Sequence, residues 1–149
     1  MSQDNSARSI ERSMVVAANP DEVWAVVGDF VGLGNWHPGL PKGIIEDGAD
    51  PTVVGAVRAF ARDGAVAARE ELTGYNPEGR SYSYRLLEPK PLPIEDYEAV
   101  IAVKPHPEGS LVTWSADYRS DDTTTAQVEE AIANRTFSMG LEALRDRWR

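Results

Sequence analysis

Between Ile44 and Tyr118 apolar and charged residues alternate, the two-residue period of strands with one face buried and one in water. Turn-forming clusters divide the stretch: Asp47-Gly48, Asp63-Gly64, Asn76-Pro77-Glu78-Gly79 and Pro105 to Gly109. The pattern predicts hairpins of one antiparallel sheet. Charged positions mark the solvent side, so four strands can be given a facing. Arg69 and Glu71 point out, which leaves Ala68, Glu70 and Leu72 inward. Ser81, Ser83 and Arg85 likewise leave Tyr82, Tyr84 and Leu86 inward. Asp96, Glu98 and Lys104 send Tyr97, Ala99, Ile101 and Val103 in. Thr113, Asp117 and Arg119 do the same for Val112, Trp114, Ala116 and Tyr118. The inner face is therefore rich in aromatic rings.

The sheet is flanked by two helical patterns. A short β-branched run, Met14 to Ala17, stops at Asn19-Pro20-Asp21-Glu22, where Asn can cap, Pro fits the first helical position and Glu22 completes a capping box. Val23, Trp24, Val27 and Phe30 then recur at helical spacing until Gly28, Gly32 and Gly34 break it. Beyond the polar stretch Ser120 to Thr125, the residues Val128, Ile132, Phe137, Leu141, Leu144 and Trp148 form a stripe on one long C-terminal helix. Roughly 25 residues of helix span about 40 Å, enough to cross the concave face of a curved sheet. The expected class is α+β. Residues 1–8 are expected to be flexible and 9–149 to form a single domain.

Composition narrows the function. With 24 acidic against 15 basic residues the formal charge is −9, which opposes attraction to nucleic acid or anionic membranes. There are no cysteines and only 2 histidines, so disulfides, thiolate chemistry and Cys- or His-rich metal centres are not expected. No apolar run is long enough to span a bilayer, and Met1 to Ser13 lacks the apolar stretch of a secretory signal, so a cytoplasmic location is expected. Gly28, Gly32 and Gly34 have the wrong spacing for a dinucleotide fingerprint, and no phosphate loop or nucleophile elbow is present. No cofactor is implied.

The local wording adds a resemblance. Asn19-Pro20-Asp21-Glu22-Val23-Trp24, Asp29-Phe30, Trp36-His37-Pro38, Gly55-x-x-Arg58, Glu70-x-Leu72, Tyr82-Ser83-Tyr84, Pro93-x-x-x-Tyr97 and Val112-Thr113-Trp114 occur in an order similar to that of the START/Bet v 1-like (SRPBCC) superfamily, in its polyketide cyclase/dehydrase and lipid-transport branch. The resemblance runs from about Ile10 to the C-terminus. It implies a helix-grip fold, a curved antiparallel sheet of about six to seven strands around a long C-terminal helix, with short helices after the first strand. It also implies a cavity between sheet and helix that holds a hydrophobic small molecule. The inward rings agree with a cavity but would equally fill a sheet–helix interface. On the cavity reading Trp36, Phe60, Leu72 and Tyr82 contribute to the walls, as do Leu86, Trp114, Tyr118 and Phe137.

Glu70 is the sharpest chemical candidate, because an inward carboxylate costs several kcal/mol unless it is paired or put to use. Arg58, on the preceding strand, could be its cross-strand partner. Alternation leaves the facing of Arg58 open, since Phe60 and Arg62 share its parity; the resemblance favours inward. Paired, the two are either a site that orients a ligand carbonyl or a structural ion pair. Unpaired, Glu70 would be poised as a general acid or base. His37 could transfer a proton or be only a turn residue before Pro38. Tyr82, Tyr84 and Tyr97 could donate to a ligand oxygen or satisfy neighbours in a buried network.

Together these point to a cofactor-independent enzyme acting on a polyketide-like or aromatic carbonyl compound by cyclisation, aldol condensation, dehydration or isomerisation. Its catalytic set would be Glu70, Arg58, His37, Tyr84 and Tyr97. The alternatives are a carrier or sensor of a hydrophobic ligand, and an accessory protein acting through its acidic surface. Whether the chain forms a homodimer is left open.

Overall fold

The computed structural model describes residues 5–149. Its centre is a seven-stranded antiparallel sheet in the order β1-β7-β6-β5-β4-β3-β2. Strand β1 (Ser6–Val16) leads to α1 (Pro20–Val27), a single 3₁₀ turn at Phe30–Gly32 and α2 (Leu33–Trp36). These carry the chain to the opposite edge of the sheet. From there β2 (Gly43–Ile45), β3 (Val57–Arg62), β4 (Ala65–Asn76), β5 (Ser81–Leu87), β6 (Glu95–His106) and β7 (Gly109–Ser120) meander back until β7 pairs with β1. The C-terminal helix runs without a break as α3 (Asp122–Val128), a π-type stretch at Glu129–Ser138, and α4 (Met139–Arg147).

Every facing read from alternation holds. Leu72, Tyr82, Tyr84, Ala99, Ile101, Val103, Val112, Trp114, Ala116 and Tyr118 are buried, and they meet Val128, Ile132, Phe137, Leu141 and Leu144 of the helix. Irregular register at Phe60/Ala61, Leu72/Gly74 and Glu95/Glu98 marks bulges, which bend strands and give a sheet curvature. The Asn19 side chain accepts from the Glu22 N–H at 2.9 Å, and Asp121 caps the C-terminal helix by accepting from the Thr124 N–H at 2.7 Å.

Four elements differ from the reading of the sequence. Strand β1 is not confined to Met14–Ala17, because each residue from Ser6 to Val16 has a partner on β7, and it begins inside the segment expected to be flexible. The earliest part of that segment, residues 1–4, lies outside the described residues. The first helix ends at Val27, and Phe30 sits in the separate turn capped by Asp29. Asp47-Gly48 forms a left-handed bend rather than a hairpin tip, since 57–62 is reached only after a further loop. Finally, the long helix widens in its middle, where the Met139 N–H reaches back to Asn134 O and the Thr136 hydroxyl donates to Ala131 O at 3.0 Å.

Gly140 shows how closely that helix is seated. A Cβ there would lie 2.7 Å from His37 Cδ2 and 3.1 Å from Trp114 Cζ3. On an exposed helix face Gly→Ala gains about 1 kcal/mol. Here the clash with two buried rings costs about 1–3 kcal/mol. Gly140→Ala is expected to be net destabilising, read as a lower urea midpoint; a rise in midpoint would refute this seating.

Candidate functional site

The sheet and helix are packed tightly at one end and hollow at the other. The hollow end holds a cavity of about 240 Å³ between the concave face of β3, β4 and β5, the Leu33–Pro41 segment, the Pro91-Leu92 loop and the π-type part of the helix. Its walls are largely apolar, from Leu33, Leu40, Phe60, Leu86, Leu92 and Ile132. A surface groove lined by Ala126, Gln127, Glu130 and Arg135 shares Leu92 and Ala131 with it, placing the mouth between the Pro91-Leu92 loop and the helix.

Arg58 and Glu70 are directly opposed in the β3–β4 ladder, which settles the facing that alternation left open. Arg58 is fully buried, its guanidinium between the rings of Phe30 at 4.2 Å and Tyr84 at 4.5 Å. Its Nε donates to Glu70 Oε1 at 2.8 Å, and Nη1 donates to Phe30 O at 2.5 Å and to the Tyr82 hydroxyl at 3.1 Å. Nη2 also lies 2.8 Å from Oε1 but is not aligned to donate, so the pair is side-on rather than a two-pronged fork. Among the described residues nothing bonds Oε2 of Glu70. The Glu70 side chain keeps 15% of its surface exposed where that of Arg58 keeps 0%, and Glu70 lines the cavity while Arg58 does not. The arginine is the buried anchor and the glutamate is the face presented to a ligand.

Two phenols share that wall. Tyr84 and Tyr97 line the cavity with ring centroids 6.4 Å apart. Burial pushes both hydroxyls well above the usual tyrosine range, and the charge of Glu70 adds to this, so both stay protonated. Tyr84 accepts from Trp114 Nε1–H at 3.1 Å. A free carboxylate oxygen and two un-ionised phenols thus face one apolar space. That set can take a proton from carbon and bind the oxygen on which charge collects.

The other expected site residues lie elsewhere. His37 is buried, with Nε2 2.7 Å from Thr136 O and Nδ1 accepting from the Gly39 N–H at 3.0 Å, which assigns the proton to Nε2. Both nitrogens are engaged and the ring does not line the cavity. Its role here is to pin the Trp36–Gly39 segment to the π-type turn. Trp36, Trp114 and Phe137 stack as filling beneath the helix, with Trp114 and Phe137 4.6 Å apart. Leu72 and Tyr82 are buried behind the cavity wall, and Tyr118 bonds to Thr125 Oγ1 at 2.7 Å near the start of the helix. Of the thirteen residues singled out, only Glu70, Tyr84, Tyr97, Phe60 and Leu86 line the cavity. Arg62, Leu40, Pro41, Leu92, Ala131 and Thr136 line it without having been expected to. Arg62 had left a trace in sharing the parity of Arg58 and Phe60, and Leu40, Pro41 and Leu92 lie in the loops after Phe30 and the segment Pro89 to Pro93, whose paths the sequence does not give.

The buried His37 gives a pH dependence. Desolvation holds its pKa below 6.5, partly offset by the bond to Thr136 O. The unfolded chain therefore binds a proton before the folded one does, so stability is full above about pH 6.5 and falls as pH drops from there towards the folded value. Urea midpoints are expected to fall across that window in the wild type and to fall less in His37→Gln. Equal slopes in the two proteins would count against this placement.

Among the described residues no group of three His, Asp or Glu side chains is arranged to hold a metal ion, and no helix is long and apolar enough to cross a membrane. The chain belongs to the polyketide cyclase/dehydrase and lipid transport family, whose model matches residues 7–148. Among solved structures it is similar to a protein from Thermobifida fusca, with 32% identity and a TM-score of 0.87 over 94% of this chain and 92% of that one. It is also similar to XoxI from Bacillus cereus, with 27% identity and a TM-score of 0.76 over 97% and 94% of the two chains. Norcoclaurine synthase from Thalictrum flavum, solved in complex with dopamine and hydroxybenzaldehyde, is 20% identical with a TM-score of 0.74, covering 96% of this chain and 87% of that one; this likeness shows the fold alone. No curated protein matches the chain. The fold is the Bet v 1-like helix grip, as the resemblance in the sequence implied.

Proposed function

We propose that the protein is a cofactor-independent enzyme that moves a proton on a small carbonyl compound held in the cavity. The observation that carries this is Glu70, anchored through Oε1 by a buried arginine while the residue lines an apolar space beside two protonated phenols. In the reaction Glu70 takes a proton from the carbon next to the substrate carbonyl. The electron pair moves onto the carbonyl oxygen, which accepts from Tyr84 and Tyr97. Return of the proton to a different carbon gives an isomer. Attack of the enolate carbon on a second carbonyl gives a ring alkoxide, which takes the proton back from Glu70 to become a hydroxyl; removal of a second proton from the same carbon by Glu70 and its delivery to that hydroxyl then releases water.

Size limits the substrate. An apolar cavity of about 150 Å³ takes a benzene ring, so about 240 Å³ suits one substituted ring or a fused pair. That favours an aromatic carbonyl compound over an extended polyketide chain.

The test is mass spectrometry of small-molecule extracts from the source cells after incubation with wild type or Glu70→Gln. Conversion of one compound to an isomer, or to a product lighter by one water, with wild type alone supports the reading. A compound that co-purifies unchanged with both proteins makes the protein a carrier, a reading favoured by the small, largely apolar cavity itself.

A further inference from the structure

The cavity has two charged lining residues, Glu70 and Arg62, and they differ in their surroundings. Glu70 is neutralised from behind by Arg58, so it presents an acceptor oxygen with little net field. Arg62 has no such compensation. Among the described residues no carboxylate lies within ion-pair distance of it, and its one bond runs from Nη2 to Gly39 O at 3.3 Å. In a chain of charge −9, Arg8, Arg69, Arg80, Arg85, Arg135, Arg145 and Arg149 have a carboxylate partner, and of the described arginines without one, Arg12, Arg62, Arg119 and Arg147, Arg62 alone lines the cavity. An exposed guanidinium that lines a cavity and lacks one is placed to receive a carboxylate from outside, which its planar fork matches.

The positions are also well separated. Arg62 lies four residues beyond Arg58 on β3, and Arg58 stands opposite Glu70. At strand spacing that is about 13 Å between backbone positions. Both side chains line the cavity, so a ligand that meets both must span one ring and a short chain, which is also what the volume allows. Phe60, between the two on the same strand, supplies an apolar floor.

We propose that Arg62 is a specificity-determining residue, and that the cavity takes a compact aromatic acid with a hydrogen-bond donor against Glu70 and a carboxylate against Arg62. This rests on the reading of the cavity as a small-molecule site, and not on whether binding is followed by chemistry.

Titration calorimetry with three probes tests it: para-coumaric acid, its methyl ester, and cinnamic acid, which lacks the phenol. The wild type is expected to bind para-coumaric acid about tenfold more tightly than the ester, the value of a charge-assisted contact. Arg62→Gln, a change at an exposed position, is expected to remove that preference, bringing the affinity for the acid down to that for the ester. Para-coumaric acid is also expected to outbind cinnamic acid in both proteins. Equal binding of acid and ester by wild type overturns the role of Arg62. Equal binding of para-coumaric and cinnamic acids overturns the donor against Glu70. Failure of all three probes to bind overturns the ligand class, whereas the enzyme reading stands or falls separately on the extracts.

Discussion

Replacing Arg58 by leucine is expected to cost about 3–5 kcal/mol of stability, the usual loss when one partner of a buried ion pair is removed. Three groups lose their donor at once: Glu70 Oε1, the Phe30 carbonyl and the Tyr82 hydroxyl. Each must then be buried without its partner, and the rings of Phe30 and Tyr84 lose the cation between them. Arg58→Lys is not conservative here, because one ammonium on a flexible stem cannot reproduce the planar set of contacts. A double variant, Arg58→Leu with Glu70→Leu, removes both charges and is expected to recover part of the loss. Urea denaturation checks all three. If Arg58→Leu alone were within about 1 kcal/mol of wild type, the anchoring role would be wrong.

The second large effect is on turnover. Glu70→Gln keeps the shape of the side chain and an amide oxygen to accept from Arg58, so the fold is expected to survive. What it loses is the capacity to take a proton at the free oxygen. On the enzyme reading turnover falls by about 10²–10⁴-fold, the usual contribution of a general base. Ligand affinity is expected to change far less. Phenylalanine at Tyr97 removes one donor without touching the base, and its smaller loss should appear in turnover rather than in binding. Steady-state rates set against calorimetric affinities separate the two. Turnover within about threefold of wild type in Glu70→Gln would move the base to another group.

Much of this was legible in the sequence wherever one periodicity governed a segment. Alternating charge fixed the facing of Glu70, Tyr84 and Tyr97 because a strand has two faces and water selects one of them. It could not fix Arg58, since a cation sharing parity with both an apolar and a charged neighbour obeys neither side; only the register opposite Glu70 decides it. The same ambiguity concealed Arg62, which lines the cavity past a bulge in β3. Leu40, Pro41, Pro91 and Leu92 were not legible, because loop paths depend on tertiary contacts rather than a repeat. The helical stripe carried one overlooked signal. Its step from Ile132 to Phe137 is five residues where an α-helix wants three or four, and that is where the helix widens. His37 and the aromatic stack were misassigned to the cavity because composition tells that a face is aromatic, not which part of it is filled.

The pairing of β1 with β7 has a bearing on how the chain is made. Ser6 finds its partner at Ser120, so β1 leaves the ribosome long before the strand it must join. At about 5–20 residues per second, the wait is on the order of 5–20 s. During that interval β1 is an unpaired sheet edge, open to any other nascent strand. Arg8, Glu11 and Arg12 within it are the kind of charged residues that discourage such mispairing. The polar character that makes this segment look unstructured in the sequence is thus also what keeps it available for the strand it must join.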